Sequence, residues 1–378
     1  MKFIHLSDLH LGKRYNEVSL IDDQSYILKV ILQAIDEEKP NAVLICGDVY
    51  DKSVPSAEAV ELFDKFLSSL VQKGVEVFIV SGNHDSPERI AFGGKIMEKA
   101  GVHLSPVYNG EVMPTLLFDE LGEVAIYMLP FVKPAHVRRY FQEEEIENYT
   151  DALSVAISHM HIDEGKRNVL LAHQFVTGST QAGSEEFLVG DAGNVDERVF
   201  SPFDYVALGH IHGEQTLNGK IRYCGSPLKY SLNEAKKGKS ITVVEVAKKG
   251  ELSVRTIPIV PKREVVELRG SYDELCRRDF YKDTTLQEDY VHIVLTDEEE
   301  IPDVVGKLRI IYHNLMNVRY DNTRTRFVNA DLEVEKVEEK SPAELFKELY
   351  EKQNNQPMSK EQEALIKELI EECWRDDE

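Results

Sequence analysis

Long apolar segments and regularly spaced cysteines are both missing from this 378-residue sequence. No run approaches the roughly 18 consecutive apolar residues of a membrane-spanning helix, and the few apolar residues before Asp8 are too short for the core of a signal peptide. The four cysteines, at positions 46, 224, 276 and 373, show neither CxxC spacing nor a disulfide-scaffold pattern. We therefore expect a cytoplasmic protein with reduced cysteines and no membrane contact.

Positively charged residues are outnumbered by negatively charged ones. The sequence has 44 Lys and Arg against 67 Asp and Glu, which gives a formal net charge of −23. A protein that binds nucleic acid through a broad basic face of its own has the opposite sign of charge. The balance argues against such a face, but it is compatible with a local basic groove or with a partner that supplies the positive charge.

Short apolar segments alternate with helical patterns along the first 250 residues. Helical patterns at about 20–38, 56–73 and 88–99 follow the first three segments. The apolar segments are 2–6, 42–46, 75–80, 123–130, 168–174, 204–210, 220–226 and 239–246. This alternation predicts an α/β fold built on a layered sheet.

Two further parts follow the sheet. Pro258 and Pro261 predict a linker, and residues 262–330 alternate strand and helix patterns, as a small α+β domain does. After an acidic spacer, residues 341–378 contain two short helical patterns. The sequence therefore predicts a second small domain and a C-terminal helix pair.

Each C-terminal helical pattern begins with a capping box and carries one apolar stripe. Ser341 and Glu344 form the first box, and Ser359 and Gln362 form the second. Two short amphipathic helices need an apolar surface to cover. They are expected either to fold back on this chain or to embrace the coiled coil of a partner.

Several apolar segments end in side chains that bind metals or move protons. These side chains are Asp8, His10, Asp48, Asp51, Asn83, His84, His173, His210 and His212, and Asn83 and His84 lie in the tetrapeptide GNHD. Because the carboxyl ends of strands converge on one crevice in open α/β sheets, we expect these side chains to meet. The pairs 8/10 and 210/212 have the i, i+2 spacing that points both side chains to one side of a strand.

This set of side chains predicts a metal site. Carboxylate, imidazole and amide oxygen together suit Mn²⁺, with Mg²⁺, Fe or Zn as alternatives. One Asp-x-His or one GNHD is more often an ordinary hydrogen-bonded pair or turn. Five such segments in this order favour metal binding, and they supply too many ligands for one ion. We therefore expect two metal ions.

The ordered motifs D-x-H, G-D-x-x-D, G-N-H-D, H and G-H-x-H resemble the signature of the calcineurin-like metallophosphoesterase superfamily. The resemblance implies a layered β-sandwich flanked by helices. It places one metal on Asp8, His10, Asp48 and His212, and the other on Asp48, Asn83, His173 and His210. Asp48 would bridge the two ions.

The same resemblance leaves His84 free for catalysis. We expect His84 to stabilise charge on the phosphate or to protonate the departing oxygen. Asp51 is expected to support it by orienting the His84 ring. Asp85, which follows His84, is expected to have a structural role in the loop.

Longer segments resemble the SbcD family of nuclease subunits. These segments are IHLSDLHLGKR, GDVYDKSVPSAEAVELF, LLAHQFVTG, FDYVALGHIH and YCGSPLKYSLNEA. The resemblance implies a Mn²⁺-dependent DNA nuclease subunit, a double-strand exonuclease and a single-strand and hairpin endonuclease. It would work with an SbcC-like ATPase in DNA repair, recombination and replication, and ATP would act only through that partner.

The SbcD resemblance also implies a division of labour along the chain. Residues 1–255 would form the nuclease domain, residues 258–330 a DNA-capping domain, and residues 341–378 a helical segment that binds the partner's coiled coil. A homodimer would form through the helices of about 56–73 and 88–99, which flank the site. The candidate cationic contacts to DNA are Lys13, Arg14, Arg89, Arg138 and Arg139.

Two other functions are compatible with parts of this pattern. A stand-alone metallophosphoesterase acting on nucleotides or small phosphodiesters would need neither ATP nor a partner. A non-enzymatic scaffold would bind DNA ends or a partner ATPase with an inactive site. The complete ligand set argues against the scaffold, because no position that the chemistry requires has been replaced.

Overall fold

The computed structural model describes residues 1–16, 18–180, 194–323, 346–347, 349–351 and 357–375. The described residues up to Asn322 form one compact unit, and those from Thr323 onward belong to a second. Among the described helices, none has the length and hydrophobicity that crossing a lipid bilayer requires.

Every predicted apolar segment contains a strand, but the four strands at the edges of the two large sheets lie outside the predicted segments. The described strands are β1 (Lys2–Leu6), β2 (Arg14–Tyr15), β3 (Val18–Ser19), β4 (Ala42–Cys46), β5 (Glu76–Val80), β6 (Val102–Leu104), β7 (Thr115–Asp119), β8 (Gly122–Met128), β9 (Arg167–His173), β10 (Phe175–Val176), β11 (Asn194–Val195), β12 (Tyr205–Gly209), β13 (Gln215–Leu217), β14 (Ile221–Tyr223), β15 (Lys239–Val246), β16 (Leu252–Ile259), β17 (Val265–Gly270), β18 (Tyr290–Leu295) and β19 (Asn314–Tyr320).

The helices are mostly short. They are α1 (Ile21–Glu38), α2 (Ala57–Gln72), α3 (Pro87–Ile90), α4 (Gly94–Met97), α5 (Pro134–Arg138), α6 (Tyr149–Ser158), α7 (Tyr272–Leu275), α8 (Arg278–Tyr281), α9 (Val304–Arg309) and α10 (Lys360–Arg375). Three 3₁₀ segments, Glu98–Ala100, Glu197–Phe200 and Leu232–Glu234, complete the described helical structure.

Two six-stranded sheets form the body of the first unit. Their strand orders are β16-β15-β1-β4-β5-β6 and β13-β14-β12-β9-β8-β7, and the central neighbours in each sheet are parallel. An apolar cluster made of residues such as Leu44, Phe78 and Leu171 fills the space between the sheets. Further clusters pack against the outer faces. The predicted layered β-sandwich flanked by helices is confirmed.

The sequence explains why each layer forms. Strands β4 and β12 are buried along their whole length, as expected of continuous apolar strands covered on both faces. Helix α2 begins at a cap in which the Ser56 side chain accepts a hydrogen bond from the backbone N–H of Ala59. Its buried residues lie on one stripe, which packs into the cluster beside the first sheet.

Two predicted elements differ from the structure. The helix expected over about 88–99 is split into α3, α4 and a 3₁₀ segment, because Gly93 has a φ of +74° and interrupts the helical path. Pro258 lies inside β16 and not in a linker. Since β16 is an edge strand, a residue without an N–H is tolerated there.

Residues beyond β16 form a small three-stranded sheet. Its order is β17-β18-β19, all parallel, and it has its own apolar cluster around Ile293, Leu308 and Tyr312. Buried polar contacts join it to the sandwich, since Asp23 on α1 accepts hydrogen bonds from both Arg263 and Tyr290. The boundary between a 1–255 domain and a 258–330 domain stays a prediction.

The second unit contains the second of the two predicted C-terminal helices. The capping box is confirmed, because Ser359 and Gln362 exchange hydrogen bonds of 2.8 and 3.2 Å and α10 follows directly. Ser341 and Glu344, the first predicted box, lie outside the described residues.

Arg167 joins the two sheets at the end of the sandwich opposite the predicted crevice. Its side chain is only 4% exposed and donates a bidentate pair of hydrogen bonds, of 3.0 and 2.6 Å, to Asp119. It also donates to the carbonyl oxygens of Gly122, in the second sheet, and of Ala247, just after β15 in the first. The same guanidinium therefore satisfies buried acceptors from both sheets.

We expect Arg167→Ala to lower the free energy of unfolding by about 3–5 kcal/mol, because it removes one of the two cationic partners of Asp119 and leaves several carbonyl oxygens without this donor. Chemical denaturation followed by circular dichroism measures the change. The matched control is Arg198→Ala, which removes an 86% exposed guanidinium paired with its neighbour Asp196. The control should stay within about 0.5 kcal/mol of the unchanged chain. Equal behaviour of the two variants would contradict the proposed role of Arg167.

Candidate metal centre

The predicted ligands lie on loops with unusual backbone conformations. Asp8, His10, Asp48 and His210 have φ values of 53°, 42°, 48° and 94°, although none of them is glycine. This left-handed region is disfavoured for L-residues by about 1–3 kcal/mol each, and such residues cluster at functional sites. The loops follow the carboxyl ends of β1, β4 and β12, so strain is concentrated at one edge of the sandwich.

Close packing holds these loops in place. A Cβ added to Gly209 would lie 1.9 Å from the carbonyl oxygen of Cys46, so the ends of β12 and β4 touch across the two sheets. A Cβ on Gly82 would lie 2.1 Å from Oδ1 of Asp48. Glycine is therefore required at both positions by close approach.

Asp8, His10 and His212 form the first group of candidate ligands. All three side chains are buried, and one potential ligand atom from each lies within 4.8 Å of the others. The Nε2 atoms of His10 and His212 face each other across 3.2 Å. The structure thus brings together two distant parts of the chain, residues 8–10 and 210–212, as the sequence predicts.

Asn83, His173 and His210 form a second group beside the first. Oδ1 of Asn83 lies 3.0 Å from Nε2 of His173 and 3.0 Å from Nδ1 of His210. Asp48 stands between the groups, with Oδ2 at 3.3 Å from Nε2 of His173 and 3.7 Å from Nε2 of His10. The seven candidate ligands therefore converge, and Asp48 has the central position.

The donor set fits divalent cations. Imidazole nitrogens and carboxylate oxygens lie close together, and three groups among the described residues have the ligand separation of a metal site: Asp8–His10–His212, Asp8–Asp48–His173 and His10–Asp48–His84. Two facing imidazole nitrogens at 3.2 Å are stabilised when both lone pairs meet a cation. Nitrogen and oxygen donors of this kind suit Mn²⁺, Fe or Zn.

Buried charges within the group shift one another's pKa values. Burial alone would raise the pKa of Asp48, but His173, His10 and His84 outweigh it and lower that pKa well below its usual range. Burial would lower the pKa of His173, but Asp48 raises it to about 9. Burial, and then the charge on His173, lower the pKa of His210 to about 4. Asp48 is thus ionised at neutral pH and available as a ligand.

His84 lies beside the ligand groups with part of its ring open to solvent. Its side chain is 24% exposed, its backbone N–H donates to Oδ1 of Asp48 at 2.9 Å, and its Nε2 lies 4.0 Å from Oδ2 of Asp48. The His84 and His10 ring centroids are 4.8 Å apart. The ring is therefore close to the ligands and accessible from outside.

Asp51 contacts the His84 ring through its backbone. The Nδ1 of His84 lies 3.2 Å from the backbone carbonyl oxygen of Asp51, and the Asp51 carboxylate turns elsewhere. That carboxylate accepts a 2.6 Å hydrogen bond from Nζ of Lys13 and lies 3.6 Å from Nδ1 of His10. Burial would raise the pKa of Asp51, but His10 and Lys13 lower it to about 2. Asp51 therefore reaches the His84 ring through its carbonyl oxygen, and its role in orienting that ring stays a prediction.

Asp85 has the structural role that the sequence analysis expects. Its buried carboxylate accepts hydrogen bonds from the backbone N–H groups of Val49, Tyr50 and Gly82, at 2.9–3.1 Å. Burial, and then the charge on Asp48, raise its pKa to about 6. Asp85 therefore ties the loop after β4 to the loop after β5.

Sequence reasoning missed Glu234. Its side chain is fully buried next to His212, in the 3₁₀ segment before β15. A glutamate in an irregular segment after Ser231 has no periodic pattern that marks it as buried, and its place in the segment YCGSPLKYSLNEA was the available signal.

The candidate cations differ in their surroundings. Lys13 lies beside the candidate ligands, where its Nζ pairs with Asp51 and lies 5.5 Å from the centroid of the Tyr230 ring. The other candidates, Arg14, Arg89, Arg138 and Arg139, are exposed.

Two family models match this chain. Residues 1–214 match the model described as calcineurin-like phosphoesterase, and residues 261–354 match the model described as type 5 capsule protein repressor C-terminal domain. The first match covers all the candidate ligands.

Curated relatives match over nearly the whole chain. The SbcD subunit of the nuclease SbcCD from Staphylococcus epidermidis is 32% identical, with 98% of each chain covered. The protein of the same name from Staphylococcus saprophyticus is 32% identical, with 92% of each chain covered. Among solved structures, a dimetal phosphatase from Danio rerio is similar at 10% identity, with a TM-score of 0.40 and coverage of 68% of this chain and 95% of that one. By its phosphoesterase domain and its end-to-end similarity to these relatives, the chain belongs to the calcineurin-like phosphoesterases and, within them, to the SbcD family of SbcCD nuclease subunits.

Proposed function

We infer that the chain is a phosphodiester hydrolase, and we propose that it is a DNA nuclease subunit that works with two Mn²⁺ ions. The observation that carries the proposal is the convergence of seven candidate ligands, six of them around the buried carboxylate of the seventh, Asp48. The relatives are named as subunits of a nuclease, SbcCD, which supports DNA as the substrate. Similarity over the whole chain favours this function over a stand-alone phosphoesterase acting on small substrates.

The proposed ligand sets follow the two groups of side chains. Asp8, His10, Asp48 and His212 would hold one ion, and Asp48, Asn83, His173 and His210 the other. Two bound divalent cations supply an activated water and neutralise charge on the phosphate. Mg²⁺, Fe and Zn stay the alternatives to Mn²⁺.

His84 is proposed as the catalytic residue. A backbone carbonyl only accepts hydrogen bonds, so the contact with Asp51 places a proton on Nδ1 of His84 and directs Nε2 toward the candidate ligands. When protonated, Nε2 donates to a phosphate oxygen or to the departing oxygen of the DNA strand. The supporting role of Asp51 is thus exerted through its backbone carbonyl.

The domain assignment is proposed with the same division as the sequence suggests. Residues 1–255 act as nuclease domain, residues 258–330 cap the DNA, and residues 341–378 bind the coiled coil of an SbcC-like ATPase. Leu365 and Leu369 on α10 are largely exposed, which supports a partner surface there.

We also propose a homodimer through the segments at 56–73 and 88–99. Phe92 is 83% exposed and Ile96 78% exposed, and large apolar side chains are rarely displayed in this way without a partner.

The ATPase would supply the positive charge that this acidic chain lacks and would couple ATP to double-strand exonuclease activity. Single-strand and hairpin cleavage would be the endonuclease activities, in DNA repair, recombination and replication.

We expect His84→Gln to lower Mn²⁺-dependent cleavage of an end-labelled blunt duplex and of a DNA hairpin by about 10²–10⁴-fold, because proton transfer to the leaving oxygen is lost. The full chain is assayed alone and with its SbcC-like ATPase and ATP, which should raise duplex degradation. Metal binding by the variant should be unchanged, since His84 belongs to neither of the proposed ligand sets.

His103→Gln is the matched control, because His103 pairs with Glu76 at 2.7 Å away from the candidate ligands. It should cleave DNA like the unchanged chain. Rapid turnover of a small phosphodiester without DNA cleavage under any of these conditions would overturn the nuclease proposal.

We expect Gly82→Ala to abolish the metal centre without removing a ligand. The new Cβ would lie 2.1 Å from Oδ1 and 2.4 Å from the backbone nitrogen of Asp48, so the central carboxylate must move. A displacement of about 1 Å at a catalytic centre costs roughly 10²-fold in rate. The measurements are DNA cleavage and bound Mn²⁺ per chain.

Gly238→Ala is the control for that variant, since nothing lies within 4 Å of its added Cβ. It should retain both bound ions and full cleavage. Full activity of the Gly82→Ala chain would show that the position of Asp48 is unimportant.

A further inference from the structure

Glu234 is a buried carboxylate directly behind the candidate ligand His212. Its side chain is fully buried, and its Oε1 lies 3.4 Å from Nδ1 of His212, on the side of the ring away from His10. The same oxygen accepts a 3.2 Å hydrogen bond from the backbone N–H of Tyr230. Glu234 therefore contacts the outer nitrogen of a ligand whose inner nitrogen faces the centre.

Lys239 holds Glu234 in this position. Its Nζ donates to Oε2 of Glu234 at 2.5 Å, to Oγ of Ser226 at 2.7 Å and to the backbone carbonyl of His212 at 2.8 Å. An ammonium group has three donors, and these three acceptors use them all. The buried ion pair is thus fully hydrogen-bonded on its cationic side, as a stable buried pair requires.

The contact has a consequence for His212. A carboxylate only accepts hydrogen bonds, so Glu234 places the ring proton on Nδ1 and leaves the Nε2 lone pair toward His10. A carboxylate behind a ligating imidazole also makes the inner nitrogen a stronger donor to a cation. The arrangement prepares His212 for a metal even in the metal-free chain.

His10 also has a carboxylate behind its outer nitrogen, but at a longer distance. The Asp51 carboxylate lies 3.6 Å from Nδ1 of His10, beyond hydrogen-bond distance, and is itself paired with Lys13 at 2.6 Å. The outer nitrogen of His173 instead lies 2.8 Å from the backbone carbonyl oxygen of Cys46, a neutral acceptor. The acceptors behind the two ligand groups therefore differ: lysine-paired carboxylates lie behind His212 and His10, and a carbonyl oxygen lies behind His173.

We propose that Glu234 is a positioning residue for His212, and that the Glu234–Lys239 and Asp51–Lys13 pairs make the Asp8–His10–Asp48–His212 position the tighter of the two metal positions. This inference rests on the ligand sets given under the proposed function. It adds an order of filling: the position backed by carboxylates fills first, and the position of Asn83 and His173 fills second.

Isothermal titration calorimetry of Mn²⁺ into the metal-free full-length chain tests this order. The unchanged chain should show two binding steps. Glu234→Gln should weaken the tighter step by about 10- to 100-fold, the usual effect of losing an outer carboxylate, and should leave the weaker step unchanged. Asp51→Asn should weaken the same step, and Asn83→Ala should weaken only the other.

Glu76→Gln is the matched control, because Glu76 pairs with the non-ligand His103 at 2.7 Å. It should leave both steps unchanged. If Glu234→Gln fails to fold by circular dichroism, because Lys239 loses its partner, the double variant Glu234→Gln/Lys239→Met removes both charges at similar volume. That double variant should also weaken the tighter step.

Two results would contradict the inference, and they differ from failure of the proposed function. Two bound ions with a tighter step that neither Glu234→Gln nor Asp51→Asn alters would overturn the inference alone. Equal weakening of both steps would show a general structural effect and would also overturn it. Fewer than two ions on the unchanged chain would refute the two-metal function itself.

Discussion

The placement of one buried carboxylate, Asp48, governs the rest of the centre. It has a left-handed backbone at the end of β4, and it lies within 4 Å of nitrogens from His10, His84 and His173. Asp85 fixes the two loops on either side, and Gly82 leaves the space that Asp48 needs. Because ligands from both sheets surround this carboxylate, a shift of Asp48 would change both proposed metal positions at once.

Packing in the two-sheet sandwich compensates for the unfavourable backbone conformation of Asp48 and of the other left-handed residues at the site. Parallel central strands in both sheets end at the same edge of the sandwich. The five loops that follow β1, β4, β5, β9 and β12 are therefore neighbours in space. Each left-handed residue there costs about 1–3 kcal/mol, and the surrounding structure must over-determine it. The apolar cluster between the sheets and those on their outer faces provide this support, while pairs such as Glu234–Lys239 hold the ligands from behind.

Sequence reasoning reached the inner strands of both large sheets and the seven candidate ligands because both follow short-range rules. It missed the edge strands β6, β7, β13 and β16, which are partly exposed and have no long continuous apolar run. Apolar segments mark buried strands, and polar residues directly after them mark the edge where strands end. It did not reach features set by tertiary packing. Nothing in the local pattern shows that the Asp51 carboxylate faces Lys13 and His10, or that Glu234 is buried behind His212. The break at Gly93 is different, because the Gly93–Gly94 pair is a local signal that the helical pattern outweighed.

Anomalous diffraction at the manganese edge, from crystals of the full chain grown with Mn²⁺, tests the central claim most directly. The account predicts two peaks about 3.5–4 Å apart, with the Asp48 carboxylate between them, one peak contacting His10 and His212 and the other His173 and His210. A single peak, or two peaks that do not share Asp48, would contradict it.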